Sequence, residues 1–271
     1  MQQRIAFIGG GNMASAIIGG LLKHGWPGDH VDVVEPFDEA RAHLQSQFGI
    51  TARPQAGSFL AHADTVVWAV KPQTFKEAAA QAQAHTRAAL HLSVAAGIGS
   101  DAIARWLGTE RVVRSMPNTP ALIGKGITAL FARAAVNEAD KALVNQVLES
   151  TGEVMWVDAE ALIDAVTALS GSGPAYMFYF MEAMREAGIG MGLDAAQAYQ
   201  LAVATFIGAG ELSKASTEPP EVLRQRVTSK GGTTYAALSA MEASGIKGAF
   251  IAAMQAAQAR AREMGEEFGA G

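Results

Sequence analysis

Cysteine is absent from this 271-residue chain, and with it go disulfides, thiolate nucleophiles and Cys-rich metal sites. Charge is scarce as well: Asp, Glu, Lys and Arg make up 17% of the residues, with a formal net charge of -5. There is no Lys/Arg run to offer a basic stripe to a phosphate backbone, so no nucleic-acid partner is expected. Long apolar runs are missing too. The stretch 175–181 stops at Glu182, far short of the ~20 residues that a membrane span requires, and no membrane association is expected. The chain enters a strand-like run by Ile5 without the basic segment and long apolar stretch of a secretory signal, so the expected location is cytoplasmic. Histidine is confined to the first part of the chain, all six lying at or before His91. Neither an H-x-x-x-H pair nor an Asp/Glu cluster with ligand spacing occurs, and no metal is expected.

What is abundant is apolar side chain, 49% of the residues, as in compact globular proteins. At this length the options are two domains or one large α/β unit. The first half alternates short apolar runs, at 4–8, 31–35, 65–70, 90–95 and 111–116, with helical stretches. This rhythm predicts βαβ units and a mostly parallel sheet. Runs at 126–131 and 153–157 are expected to complete it. From about residue 158 the β-like runs vanish, and Ala-rich, helix-periodic sequence predicts about five helices. The expected architecture is therefore α/β: a doubly wound sheet domain over 1–157 and an all-helical domain over 158–271, meeting at a change of period and not at a flexible tether. In the helical part, 177–184 is apolar nearly all round and has to be buried on more than one side. That favours a core shared between subunits and hence a homo-oligomer, a central helix within one subunit being the alternative.

A G-x-G-x-x-A pattern, Gly9-Gly10-Gly11-Asn12-Met13-Ala14, directly follows the first strand-like run and opens a helical stretch. In that context Gly9 permits a tight turn, Gly11 lets backbone approach a pyrophosphate, and Ala14 lets helix and strand pack closely. The helix start then presents its N–H groups to negative charge, the fingerprint of a dinucleotide site. Glu35 ends the next strand about 20 residues on, where an acid meets the adenosine ribose hydroxyls, a placement that favours NADH over NADPH. A solvated acid before the Pro36 turn is the other reading, and Arg41 could still swing toward a 2′-phosphate, so NADPH or NADH stays open. Ala69-Val70-Lys71-Pro72 follows the third strand; the residue before proline is held extended, which suits a backbone strip along the nicotinamide ribose. Lys71 alone could equally be a surface lysine.

The helical domain contains no histidine, which speaks against hydroxy-acid dehydrogenases that set a catalytic His opposite the nicotinamide. A C=N substrate fits better than a ketone, because an imine can be protonated before hydride arrives; positioning then carries most of the catalysis. The candidate holder is the segment Ser229-Lys230-Gly231-Gly232-Thr233-Thr234, between an Arg-rich helical stretch and the helix that follows. Exposed N–H groups at such a helix start would bind a carboxylate, and the hydroxyls of Ser229, Thr233 or Thr234 could reach a ring nitrogen. An ordinary Thr-capped helix start is the bland alternative.

Three stretches carry a resemblance: Ser115-Met116-Pro117-Asn118-Thr119-Pro120, then 167–176 (TALSGSGPAY), then 227–234 (VTSKGGTT) continuing to Ala237-Leu238. On these the chain resembles the pyrroline-5-carboxylate reductase family over essentially its whole length. The resemblance implies a Rossmann domain, a helical dimerisation domain whose helices interlace between subunits, and dimers assembled into larger rings. It implies reduction of a small cyclic imine acid to proline with NADPH or NADH. It also implies that Ser229, Lys230, Gly231, Gly232, Thr233 and Thr234 bind the substrate carboxylate, Thr234 hydrogen-bonding the imine nitrogen as the catalytic contact. Met116, Pro117, Asn118 and Thr119, with Ala69 to Pro72, would line the nicotinamide, and Gly9 to Met13 the pyrophosphate. Two positions depart from the pattern: many members have proline in place of Lys230, and a small or basic residue near Glu35.

Two other readings compete. A β-hydroxy-acid dehydrogenase would want a lysine from the helical domain at the nicotinamide, but only Lys214, Lys230 and Lys247 are there and none lies in the 170–174 break. A catalytically silent nucleotide-binding regulator predicts a damaged substrate loop, whereas 229–234 keeps two adjacent glycines and three hydroxyls.

Overall fold

The structure, a computed structural model, describes residues 3–269. The first part of the chain runs β1 (Ile5–Ile8), α1 (Asn12–Lys23), β2 (Val31–Val34), α2 (Asp38–Phe48), β3 (Thr65–Trp68), α3 (Pro72–Thr86), β4 (Leu90–Ser93), α4 (Ser100–Leu107), β5 (Val112–Met116), β6 (Gly126–Ala132), α5 (Glu138–Leu148), β7 (Gly152–Trp156) and the short α6 (Leu162–Val166). Each strand-like run of the sequence is a strand. They form one sheet in the order β2-β1-β3-β4-β5-β6-β7, parallel except where β6 runs against β5. This is a Rossmann-like doubly wound sheet.

Strands β1 and β3 are buried at all four positions because helices cover both faces, which is why they read as continuous apolar runs. Alternation still sorts the side chains. Ile5 and Phe7 join Ile17, Ile18, Leu21, Val144 and Val147 on one face, while Ala6 and Ile8 join Trp68, Phe75, Ile98 and Ile103 on the other. Local chemistry sets the helix ends. Pro72 occupies the first turn of α3, where its missing N–H costs nothing. Asn137 and Asp140 form a reciprocal capping box on α5, and α2 and α4 stop at Gly49 and Gly108, both at positive φ.

His91 is fully buried on β4. Trp68 Nε1 donates to its Nδ1 at 3.0 Å, and its Nε2 lies 3.1 Å from the Thr86 carbonyl oxygen. With Nδ1 accepting, Nε2 carries the proton and donates, so the ring is neutral. Burial first, and the Arg111 charge less strongly, push its pKa down to about 4 against the raising effect of the Thr86 bond. It is a core histidine, remote from any acid–base role.

Two compact units emerge. The first runs to Ser172 and takes in the last part of the C-terminal helix from Ala257; the second is Gly173–Ala256. Residues beyond β7 stay with the sheet because Arg114 of β5, 6% exposed, pairs with Glu160 at 3.0 Å and Asp164 at 3.3 Å. Glu160 also accepts from the Ser100 N–H at 2.6 Å and its hydroxyl at 2.5 Å at the start of α4.

The second unit holds α7 (Gly173–Gly190), α8 (Ala195–Ala215), α9 (Pro220–Arg226), α10 (Thr233–Ala243) and the first part of α11 (Ile246–Gly269). Asp194 and Gln197 cap α8 reciprocally. A Cβ on Gly188 would sit 2.9 Å from that of Ala198, so glycine lets α7 and α8 close up. Tyr176 and Phe180 meet Phe250 edge-on, with centroids 5.6 and 5.5 Å away. Yet among the described residues of this unit only Ala198 and Ala202 are buried apolar side chains, while Phe178, Tyr179 and Leu212 are 60%, 69% and 69% exposed. No described helix is long and apolar enough to cross a membrane. Of the all-round apolar stretch at 177–184, Phe180 and Met181 are half-buried while Met177, Phe178, Tyr179 and Met184 stay exposed, and exposed apolar faces of this kind mark association surfaces.

Candidate active site

The chain passes from β1 to β2 on one side of the sheet, then crosses to β3 on the other side of β1. That reversal lies at the carboxyl ends of β1 and β3, the usual ligand position of such sheets. The candidate cofactor residues lie along this edge. Gly9 leaves β1 at φ +97°, and a Cβ there would fall 2.6 Å from the Ala69 carbonyl oxygen. Only glycine allows the turn and the close pass. Its N–H donates to Val34 at 2.8 Å, and the Ala69 N–H donates to Ile8 at 2.8 Å, so the turn is tied to both neighbouring strands.

Gly11 is the N-cap of α1 and carries no side-chain cap. A Cβ on it would meet no atom within 4 Å. The helix start, beside exposed Asn12 and half-buried Met13, thus has open space next to it. This cradle fits a dinucleotide pyrophosphate. Glu35, directly after β2, is not the solvated acid of the alternative reading: it is 5% exposed. Its Oε2 accepts from the Gly10 N–H at 2.7 Å and its Oε1 from the Phe37 N–H at 2.9 Å.

Ala69 and Val70 lead from β3 to Lys71, which is exposed and extended at φ −64°, ψ 146° before Pro72 opens α3. Met116 ends β5, followed by buried Pro117, half-buried Asn118 and exposed Thr119. Asn118 is a two-sided strut. Its Oδ1 accepts from the Ile127 N–H at 3.0 Å and its Nδ2 donates to the Ser170 carbonyl at 3.2 Å. Ser170 belongs to a π-helical turn, Thr167–Gly171, of the kind that recurs at functional sites. A Cβ on Gly171 would lie 2.4 Å from the Met116 methyl. The 167–171 stretch, part of the second segment that carries the resemblance, is thus the packing partner of the Met116–Asn118 segment. The loop after β4 was also passed over. Val94 to Gly97 leaves the same edge of the sheet, with the Val94 N–H donating to Trp68 at 3.1 Å and Gly97 at φ +73°.

In the second unit, Ser229, Lys230, Gly231, Gly232, Thr233 and Thr234 join α9 to α10. Gly231 has φ +75°, and the Gly232 N–H donates to the Ser229 carbonyl at 3.0 Å. The N-cap of α10 is Gly232, with no side-chain cap, so this is not a Thr-capped start. Among the described residues, the hydroxyls of Ser229, Thr233 and Thr234 take part in no hydrogen bond. Free N–H groups and free hydroxyls at one helix start are what a small carboxylate ligand with a ring nitrogen needs.

Residues 160–264 match the family model for pyrroline-5-carboxylate reductase dimerisation, and residues 4–97 the model for coenzyme F420-dependent NADP oxidoreductases. The pyrroline-5-carboxylate reductase of Pseudomonas aeruginosa is 43% identical over 268 residues, covering 98% of both chains. That of Haemophilus influenzae is 41% identical over 96% of this chain and 97% of its own. Among solved structures, a pyrroline-5-carboxylate reductase from Coxiella burnetii superposes with a TM-score of 0.90 at 36% identity, over 97% of this chain and 99% of the other. The Plasmodium falciparum pyrroline carboxylate reductase with NADP bound gives 0.88 at 28% identity, over 98% and 99%. The exposed helix faces of the second unit agree with its match to a dimerisation module. By fold, by motif and by identity along nearly its full length, the chain belongs to the pyrroline-5-carboxylate reductase family.

Proposed function

We propose that the protein reduces the C=N bond of 1-pyrroline-5-carboxylate to give L-proline, the last step of proline biosynthesis, with NADPH or NADH. The reduced nicotinamide supplies the hydride to the imine carbon. The imine nitrogen takes a proton, so C=N becomes CH–NH and the charges balance. Residues 1–157 hold the dinucleotide: Gly9, Gly10, Gly11, Asn12 and Met13 at the pyrophosphate, Glu35 at the adenosine ribose, and Ala69, Val70, Lys71 and Pro72 with Met116, Pro117, Asn118 and Thr119 around the nicotinamide. Residues 158–271 bind substrate and associate, as a dimer and then as a ring of dimers in the cytoplasm.

The chemistry asked of the protein is modest. A protonated imine is already an electrophile, so catalysis rests on holding its carbon in line with the donor. The loop from Ser229 to Thr234 holds the carboxylate on its N–H groups, Lys230 adding positive charge, and Thr234 hydrogen-bonds the ring nitrogen and fixes which face receives hydride. The observation that carries this reading is the uncapped α10 start with its three unengaged hydroxyls. The test is loss of reduced-nicotinamide absorbance with the imine, comparing wild type with Thr234→Ala. Turnover should fall about 10²-fold, in the range of a lost positioned polar contact, with dinucleotide affinity unchanged. Equal loss of dinucleotide binding would remove that role from Thr234, and no turnover by wild type with either cofactor would remove the activity.

A further inference from the structure

The geometry points to Glu35 as the residue that makes this reductase select NADH over NADPH. The inference rests on reading the carboxyl edge of the sheet as the dinucleotide site. At the end of the second strand of such a sheet the protein meets the adenosine ribose, where one cofactor has a 2′-hydroxyl and the other a 2′-phosphate.

Glu35 does not wander there. The Gly10 N–H at 2.7 Å and the Phe37 N–H at 2.9 Å each hold one of its oxygens, and the side chain is buried. A carboxylate has about four acceptor positions, so about two are left. They suit the two hydroxyls of a ribose, which donate. A phosphate only accepts, and it brings a charge of about −1.5 to −2.

No cation cancels the carboxylate. Arg41 is the nearest arginine along α2, but its Nη1 donates to the carbonyl oxygens of Glu35 itself at 2.9 Å and of Pro36 at 2.7 Å, and its Nη2 pairs with Asp38. Arg53, whose backbone pairs with that of Glu35, lays its guanidinium over the Phe59 ring at 3.9 Å. Among the described residues, Glu35 has no ion-pair partner. A 2′-phosphate would therefore lie beside a rigid, uncompensated negative charge partly removed from water, where repulsion is screened weakly.

The experiment uses the full-length protein and equilibrium binding without imine: fluorescence titration of NADH and NADPH, and calorimetry with the adenosine-side fragments 5′-AMP and 2′,5′-ADP. Wild type should bind NADH at least about tenfold more tightly than NADPH, and Glu35→Gln and Glu35→Ser should each shift that ratio toward NADPH by about tenfold or more. The gain should appear with 2′,5′-ADP too, and Arg41→Ala should leave wild-type preference in place. Tighter wild-type binding of NADPH, a preference that collapses in Arg41→Ala, or equal loss of both cofactors in both Glu35 variants would overturn the proposal. The last would leave Glu35 as a brace for Gly10 alone. Failure of wild type to bind either dinucleotide would instead overturn the oxidoreductase reading.

Discussion

Acidification should weaken the sheet unit through one side chain. His91 is fully buried, accepts from Trp68 and faces the Thr86 carbonyl, and its pKa lies at about 4 against an ordinary 6.5. Above 6.5 the ring is neutral in both folded and unfolded chains and favours neither. As pH falls below 6.5 the unfolded chain takes up the proton while the folded one refuses it, so stability is lost progressively until about 4, where the folded ring also titrates. The gap between 6.5 and about 4, at about 1.4 kcal/mol per pH unit, amounts to about 3 kcal/mol. That is a large share of the ~5–15 kcal/mol by which a domain is folded. The assay is urea unfolding at about pH 7 and about pH 4.5, comparing wild type with His91→Gln, whose amide can serve Trp68 and Thr86 without titrating. Carboxylates affect both proteins alike, so the difference isolates the histidine. Wild type should lose most of those 3 kcal/mol more than the variant does. Equal losses in the two proteins would refute the argument.

Two further outcomes follow from the packing. Gly9→Ala places a Cβ 2.6 Å from the Ala69 carbonyl oxygen at φ +97°, a strain of about 1–3 kcal/mol that should lower the unfolding midpoint and weaken dinucleotide binding at least about tenfold. Gly11→Ala, with open space around it, should weaken binding with the midpoint unchanged; matching midpoints for the two variants would refute the distinction. Glu160→Gln removes the charge that Arg114 shares with Asp164 and weakens the acceptor at the start of α4. Arg114 keeps Asp164 and Glu160 is partly exposed, so the cost should be about 1–2 kcal/mol, below that of a buried charge left unpaired, and an unshifted urea midpoint would rule that out.

Much of this was legible in the sequence, for a physical reason. Strands of a parallel sheet covered on both faces must be apolar at nearly every position, so the runs at 4–8 and 65–70 announced β1 and β3 with little competition. The glycine pattern was legible because backbone geometry alone demands it at Gly9. Other features depend on what folding brings together. Glu35 read equally well as a ribose ligand or a solvated acid, since the N–H groups that bury it come from Gly10 and Phe37 and only the closed loop aims them inward. The strut at Asn118 was no clearer, because Ser170 lies 52 residues on and the Ile127 N–H is brought to it only by the turn into β6. A π-helical turn leaves no periodicity of its own within five residues. His91 sits in an apolar strand run, but the Trp68 and Thr86 groups that hold it neutral come from other elements.

The second unit shows why assembly and folding are one problem in this chain. A helical layer is stable when its apolar faces are covered, at about 25 cal/mol for each Å² removed from water. Here the small residues do their work inside the subunit: Gly188 and Ala198 bring α7 and α8 into close contact, and Ala198 and Ala202 fill the space between. The large residues Phe178, Tyr179, Tyr199, Leu201, Ile207 and Leu212 remain exposed. A monomer would thus leave these large apolar side chains in water. Each such side chain gains about 1.5–3 kcal/mol on full burial, so covering even a few of them against a second copy exceeds what the Gly188–Ala198 contact supplies. The α9–α10 loop that offers its N–H groups and hydroxyls belongs to this same layer, whose large apolar side chains its own chain leaves exposed.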